Sequence, residues 1–443
     1  MLFGRVKWGI HPKTHKTATA NKPIENMELP RQVIIPVRMH IGAPAEPIVK
    51  KGDKVKTGQL IANSSAPVSS NVHSSVSGTV VDISDKPHSI YGQCLSIIIE
   101  SDGLDQWAEE TSVQRDWKML RNDQVFEIIK NAGIVGMGGA AFPSHIKLCP
   151  PKDKKIDTLI INAAECEPFL TVDHRIMLEY TLRVATGIEI IKNLLSVENV
   201  FIGIEDNKVD AIKVMRDVID ENSAKIVAIT TKYPHGAEKI IIKSLLNREV
   251  APGKLPMDVG VVVQNVSTAV AICDAVVRGT PLIERIVTVS GSAINIPKNL
   301  KVRIGTTFSD VIKFCGGFKQ TPEKLIMGGP MMGIAQYTTE VSVIKGTSGI
   351  LGLSKKDVNQ VDQSACIRCG KCVNCCPMNL NPSMLGILSE KGFADEAKND
   401  YNLLDCIECG CCSYVCPAKR HIVQYVRYAK RLVAEKAAEK GNK

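Results

Sequence analysis

Asp157-Thr-Leu-Ile-Ile-Asn162-Ala-Ala-Glu165-Cys-Glu167-Pro168 is a short apolar run that ends in amide and carboxylate side chains. Three more runs of this kind follow, ENVFIGIE (198–205), AKIVAITT (224–231) and DVGVVVQNV (258–266). Helical stretches separate them at 170–195, 208–222, 237–247 and 267–278. Strands rich in β-branched residues that alternate with helices predict a parallel sheet covered on both faces. Such sheets bind ligands beyond the C-terminal ends of their strands. The residues after each run are therefore the ones to examine: Asn162 to Pro168, Lys232-Tyr-Pro-His-Gly-Ala-Glu238-Lys239, and Gln264-Asn265-Val-Ser-Thr268. All three carry polar groups that could meet a nucleotide's hydroxyls and phosphate.

Upstream of the first strand, a helical stretch QVFEIIKN leads into Ala132-Gly133-Ile-Val-Gly136-Met137-Gly138-Gly139-Ala-Ala-Phe142-Pro143, closed by Ser144 as a helix cap with Lys147 one turn on. Glycines let backbone N–H groups approach a phosphate, and a helix N-terminus adds positive partial charge. The loop does not follow a strand and is not GxGxxG, so the usual dinucleotide fingerprint is absent.

Fifteen cysteines are present, and ten of them fall between Cys366 and Cys416. They form two copies of C-x2-C-x2-C-x3-C-P, Cys366-Cys369-Cys372-Cys376-Pro377 and Cys406-Cys409-Cys412-Cys416-Pro417. In two-cluster ferredoxins the fourth cysteine of each motif serves the other cluster. The pattern assigns Cys366, Cys369, Cys372 and Cys416 to one [4Fe–4S] cluster and Cys406, Cys409, Cys412 and Cys376 to the second. Cys375 and Cys411 are off-pattern. Zinc would need only four thiolates per site and has no use for the repeated proline-terminated arrangement. Between the motifs, Pro382 to Asn399 has helix-period apolar residues broken at Gly392, predicting two short helices. The five isolated cysteines (Cys94, Cys149, Cys166, Cys273 and Cys315) read as small buried hydrophobes.

The remainder divides into smaller units. Short β-type runs between Pro30 and Glu100, with GDKVKTGQ echoed by VSGTV, resemble a biotinyl/lipoyl barrel sandwich. No lysine lies at the hairpin tip between Ile61 and Thr79, so it reads as a scaffold, with His73 exposed. Residues after Glu284 predict a small β-grasp unit of two strands, a strand-like turn and a helix. The chain ends in a basic amphipathic helix from Gln424 that is either solvated or docks on a partner. The expected domains are an N-terminal extension (1–29), the barrel sandwich (30–104), a Rossmann-like α/β domain (115–283), the β-grasp unit (284–340), an α-helical double-cluster module (355–425) and the terminal helix (426–443).

With 443 residues, 44% hydrophobic and 23% charged, the chain is an ordinary multidomain globular protein. The formal charge of +9 is spread along the chain and aromatics make up 5%. Neither favours nucleic acid as a partner. The most apolar run, Val259 to Cys273, is too short to span a bilayer and contains Gln264 and Asn265. The opening MLFGRVKWGIHPKTHK lacks a signal-peptide core. A cytoplasmic, peripheral protein is expected.

The loop GMGGAAFPSHIK (136–147) resembles the GRGGAGFPxGxK segment of the NADH- and flavin-binding subunits of respiratory complex I. NAAECEP (162–168) and NVST (265–268) are similar to that family's NADExEP and NVET. Met137 stands where that loop carries Arg, and Ala164 where its segment is acidic, so charge near the nucleotide is reduced. Nearly the whole chain resembles the C subunits of the Rnf ion-translocating ferredoxin:NAD oxidoreductase complex. The residues that carry this are Gly9, His11, Pro12, His15 and Lys16, KPIE at 22–25, His40 to Ala62, Tyr233 to Lys239, and the two cysteine motifs. The resemblance implies FMN held by Gly136, Gly138, Gly139, Lys147, Asn162, Glu165, Asn265 and Thr268. It places Phe142, Glu167 and Glu238 on the NAD(H) side, with no acid–base catalytic residue. It also implies the A, D, E, G and B subunits of that complex as partners, indirect exchange with ferredoxin, and a peripheral place on the cytoplasmic face of the membrane. A soluble cobalamin-reductase-type flavoprotein and a cluster-containing regulator are the alternatives. The HP-x-x-HK and HIGAPAEP segments favour the Rnf resemblance over the first, and the second would bind no flavin.

Overall fold

The computed structural model describes residues 8–358 and 362–441. The opening Met1–Lys7 and the last two residues, to which part of the terminal readings applies, lie outside the described residues.

The four apolar runs form one parallel sheet, in the order Lys225–Ile229, Asn199–Glu205, Thr158–Ala163, Val261–Asn265. Leu159, Ile160 and Ile161 are fully buried, as a strand covered on both faces requires. On one face the helix Glu238–Leu246 packs Ile241, Ile242 and Leu245 against Ile160, Val261 and Val263. The other face carries Val172–Glu179, Thr181–Leu195 and Val266–Arg278, which join the main core through Ile188, Ile191 and Ala269. The single helical stretch expected over 170–195 is broken at Tyr180. The Thr181 hydroxyl donates to the Met177 carbonyl at 2.6 Å, the acceptor that an unbroken helix would give to its own N–H. Gly187 lets the two long helices cross closely, since a Cβ there would stand 2.0 Å from the Ala269 carbonyl oxygen.

Before this domain, two antiparallel sheets face each other as a sandwich. One is Gln32–Pro36, Gly92–Ser101, Gly78–His88 and Lys54–Val55, and the other Glu46–Pro47, Leu60–Asn63 and Val72–His73. The expectation of an exposed His73 is wrong. It ends a strand and is buried, which pulls its imidazole down to about 3.

After the parallel sheet comes a six-stranded sheet around Glu284–Ser290 and Lys298–Arg303, with the helix Phe308–Phe314. Its further strands are Lys324–Met327, Ile334–Gln336 and Gly349–Leu353, and Ile24–Asn26 adds an edge in parallel with Lys298–Arg303. The N-terminal residues are thus built into the fold. Ile10 bridges to Tyr233, and Lys16 Nζ donates to the carbonyls of Glu165 (2.6 Å) and Leu170 (2.7 Å).

The cysteine motifs repeat in the backbone as well as in sequence. Arg368 and Glu408, Gly370 and Gly410, and Asn379 and Lys419 are three pairs at equivalent positions, and all have positive φ. A short helix lies within each motif, at Lys371–Asn374 and Cys411–Val415, and longer ones begin after the motifs at Pro382 and Ile422. Pro382–Glu390 and Ala394–Tyr401 are separated by Gly392 (φ +79°), where the helix was expected to break. The terminal helix Ile422–Gly441 belongs to this module's core, where Val426 and Ala429 pack with Leu385, Ala397 and Leu403. Of the isolated thiols, Cys273 and Cys315 are buried, Cys94 and Cys166 are half-buried, and Cys149 is exposed, contrary to expectation. Among the described residues no helix is long and apolar enough to cross a membrane.

Candidate functional site

Asn162 and Asn265 end neighbouring parallel strands and lie directly opposite each other in register. Asn265 caps the helix Val266–Arg278, its side chain accepting from Ser267 N at 2.9 Å. Its amide donates to Asp173 Oδ2 (2.8 Å), and Ser267 Oγ donates to Asp173 Oδ1 (2.6 Å). Asn162 Nδ2 donates to the Gly236 carbonyl (2.7 Å), which ties in the loop before Glu238.

The glycine-rich loop closes over this edge. Gly136 N donates to the Phe142 carbonyl (2.8 Å), and Met137 N donates to the buried Thr268 Oγ1 (2.9 Å). Arg285 Nη2 donates to the Met137 carbonyl (2.9 Å) from the six-stranded sheet. Gly138 packs against the Asn265 side chain, where a Cβ would meet Asn265 Cβ at 3.4 Å. Gly139 has φ +120° and open space where a side chain would be. Gly138, Gly139 and Ala140 are exposed, so their backbone faces outward over the strand ends. Lys147 reaches the same edge, donating to the Val263 carbonyl (2.9 Å) and pairing with Glu238.

The two glutamates of the first loop separate. Glu165, at φ +48°, accepts from Asp173 N (2.7 Å) and stands 3.7 Å from Lys16 Nζ. Burial, reinforced by Glu165, pushes the Asp173 carboxyl up to about 6. The Glu167 carboxylate accepts from Met331 N (3.0 Å) and Met332 N (2.8 Å), and burial pushes it up to about 7.

This edge suits a flavin mononucleotide chemically. It offers an open glycine cradle, one lysine, a helix N-terminus, two amides, and carboxylates that can accept from hydroxyls. Asp173, Arg285 and Lys16 escaped the sequence reading. Asp173 looks like an ordinary first-turn acid and Arg285 like a strand residue. Lys16 stands out in the sequence only as part of the opening motif.

In the cysteine module, Cys376 lines one cavity together with Cys406, Cys409 and Cys412, the four thiols of the second predicted set. Off-pattern Cys411 also lines it. Cys372 lies near Cys416, its predicted partner in the other set, and near Cys376 as well. Among the described residues no three side chains converge as around a single ion. A cubane instead spreads its irons over four corners.

Comparison with known proteins accounts for this arrangement along the chain. Residues 4–104 match the RnfC barrel sandwich hybrid domain, and 129–274 the Nuo51 FMN-binding domain. Residues 286–335 match an SLBB domain, and 359–417 a 4Fe-4S dicluster domain. The C subunit of the proton-translocating ferredoxin:NAD(+) oxidoreductase complex of Clostridium ljungdahlii is 58% identical over 422 residues, covering 95% of this chain and 92% of that protein. The chain belongs to the RnfC family. The C subunit of the Na(+)-translocating ferredoxin:NAD(+) oxidoreductase complex of Acetobacterium woodii is 45% identical, with 99% of each chain covered. The C subunit of the ion-translocating oxidoreductase complex of Rhodobacter capsulatus is 43% identical over 98% of this chain and 84% of its own. A solved NAD+-reducing [NiFe]-hydrogenase shares the fold with a TM-score of 0.51 at 17% identity, over 71% of this chain and 64% of that one. Within the RnfC architecture, the glycine loop and both asparagines fall in the FMN-binding domain, and ten cysteines fall in the dicluster domain.

Proposed function

We propose that this chain is the NAD(H)-reactive electron-transfer subunit of a membrane-associated Rnf complex, which couples electron exchange between ferredoxin and NAD to ion translocation. The observation that carries the reading is the in-register pair Asn162 and Asn265 beneath an open glycine loop, in one chain with a doubled cysteine motif. Gly136, Gly138, Gly139, Lys147, Asn162, Glu165, Asn265 and Thr268 would hold FMN. Phe142, Glu167 and Glu238 would border the nicotinamide side. Bound FMN supplies the exchange between hydride pairs and the single electrons that [4Fe–4S] clusters accept.

The protein's own part is placement. Lys147 offers a cation to a phosphate at the strand ends, and Thr268 with Arg285 fixes the loop from both sides of Met137. Cys366, Cys369, Cys372 and Cys416 would hold one cubane, and Cys406, Cys409, Cys412 and Cys376 the other. Cys369 is exposed and nearby Ile367 is 65% exposed, so the first cluster would lie near a surface from which a partner subunit could take electrons. The A, D, E, G and B subunits of the complex are the proposed partners, on the cytoplasmic face. Membership of the RnfC family sets aside the cobalamin-reductase alternative.

Protein purified without oxygen should contain FMN and about eight irons per chain. Electron paramagnetic resonance after NADH addition should show two reduced cubanes. Zinc in the thiolate sites, or the absence of flavin, would overturn the reading.

A further inference from the structure

Tyr233 lies at the seam between the parallel sheet and the cysteine module and is 2% exposed. Its backbone exchanges two hydrogen bonds with Ile10, N to O at 3.0 Å and O to N at 2.9 Å. Gly9 N then donates to the Cys375 carbonyl at 3.1 Å. Gly9 has φ +88°, and a Cβ there would stand 2.4 Å from the Tyr233 carbonyl oxygen, so only glycine fits at this position.

The Tyr233 hydroxyl is 2.6 Å from the Cys409 carbonyl oxygen. A carbonyl has no proton to give, so the phenol donates. Glu167 Oε1 is 3.5 Å from the same hydroxyl, and its carboxylate holds the Met331 and Met332 N–H groups. Met331 in turn packs on Gly410, where a Cβ would meet its carbonyl oxygen at 2.9 Å. Ile10, Tyr233, Cys375, Cys409 and Cys411 form one buried cluster, with Cys166 and Met331 packed against it. Water is scarce in such a place, and oriented dipoles act there with little screening.

We propose that Tyr233 is a positioning residue that sets the reduction potential of the cluster held by Cys409. The inference rests on the reading of Cys409 as a ligand. Reduction adds one negative charge to a cluster. The hydroxyl donates to the ligand's backbone carbonyl, so the positive end of its dipole is turned toward Cys409 and favours the added charge, a backbone counterpart of the hydrogen bonds to sulfur that tune cluster potentials. The carboxylate of Glu167 acts in the opposite sense.

The test is a redox titration of the full chain, prepared without oxygen and followed by electron paramagnetic resonance, with iron and flavin measured on the same samples. Tyr233→Phe removes the hydroxyl and keeps the ring. The expected result is unchanged iron and flavin, one cubane shifted to a more negative midpoint, and the other in place. Excess NADH should then reduce the shifted cluster to a smaller extent. Midpoints that coincide with those of the unmutated protein overturn the proposal. Should Tyr233→Phe lose iron, Glu167→Gln decides. In alkaline buffer it should shift the same cluster to a more positive midpoint, and no shift overturns the proposal. Unmutated protein without cubane signals overturns the proposal together with the reading on which it rests.

Discussion

Asn162 and Asn265 face each other across two parallel strands, and each spends its side-chain amide inside the protein. Asn162 holds the Gly236 carbonyl and Asn265 holds Asp173. The strand ends are thereby tied to the loop that precedes Glu238 and to the helix behind Glu165. A ligand that settles on this edge meets groups already fixed, so little ordering remains to be done on binding.

Lys147 is held between the Val263 carbonyl and Glu238. Its ammonium is therefore poised at the edge without being free to wander. Lys147→Met should weaken FMN binding by about 10- to 100-fold, the scale of a charge-assisted hydrogen bond of roughly 1.5–3 kcal/mol. Glu238→Gln should keep the flavin and instead raise KM for NADH. Equilibrium dialysis against FMN checks the first, and steady-state ferricyanide reduction the second. Equal flavin loss in both variants would contradict the division of roles.

Crossed ligation predicts different outcomes for adjacent cysteines. Cys412→Ser should lower iron from about eight to about four per chain, because one cubane loses a ligand. Cys411→Ser should leave both clusters in place, although Cys411 lines the same cavity. Cys376→Ser should remove the cubane lost in Cys412→Ser, and Cys416→Ser the other. Iron analysis with electron paramagnetic resonance distinguishes these patterns. Loss of the same cubane in Cys376→Ser and Cys372→Ser would indicate uncrossed motifs.

The parallel sheet was legible because strands buried on both faces must be apolar throughout, as Leu159 to Ile161 are. The break at Gly392 was legible because glycine alone takes φ +79° cheaply. The six-stranded sheet was only half legible. Ile24–Asn26 is three residues long and gains its place from pairing with a strand some 275 positions away in the chain. The site divides in the same way. Glycines, asparagines and cysteines announce their chemistry by type and spacing. Asp173 and Arg285 acquire theirs from neighbours brought in by folding, as Arg285 does through the carbonyl of Met137. His73 misled because the whole run from Val72 to Gly78 is buried, so the packing of that segment and not the polarity of the side chain decides its exposure.

Gly187 tests how much of the site depends on close helix packing. A Cβ there would clash with backbone at Ala269, which cannot move as a flexible side chain would. Gly187→Ala should therefore destabilise the domain by about 1–3 kcal/mol, the range for overpacking. The helix that bears Ala269 begins at Val266 beside Asn265, so flavin affinity should fall as well. Thermal unfolding and FMN dialysis measure the two effects. A melting temperature equal to that of the unmutated protein would show that the crossing is looser than the structure has it.

Lys345 gives a stability signal with a definite sign. Its ammonium is fully buried and reaches Asn71 O (2.6 Å), Gly133 O (2.7 Å) and Ser70 Oγ (3.2 Å), linking the barrel sandwich to the glycine-rich loop. Gly133 makes room for it, since a Cβ would lie 2.8 Å from Nζ. Burial pulls the ammonium down to about 7 from its ordinary 10.5. Between those values the unfolded chain binds a proton that the folded chain lacks, so this group adds stability as pH rises through that window. Below about pH 7 both states are protonated and the full burial cost is present. Lys345→Met removes the titration and takes the ammonium from the Asn71 carbonyl, while Ser70 Oγ still donates to the Gly133 carbonyl (3.0 Å). The unmutated protein should therefore gain stability over Lys345→Met as pH climbs from about 7 toward about 9.5. Denaturant unfolding of both proteins across that range tests this. A stability difference that stays constant would mean the ammonium remains charged in the fold, held by its three acceptors.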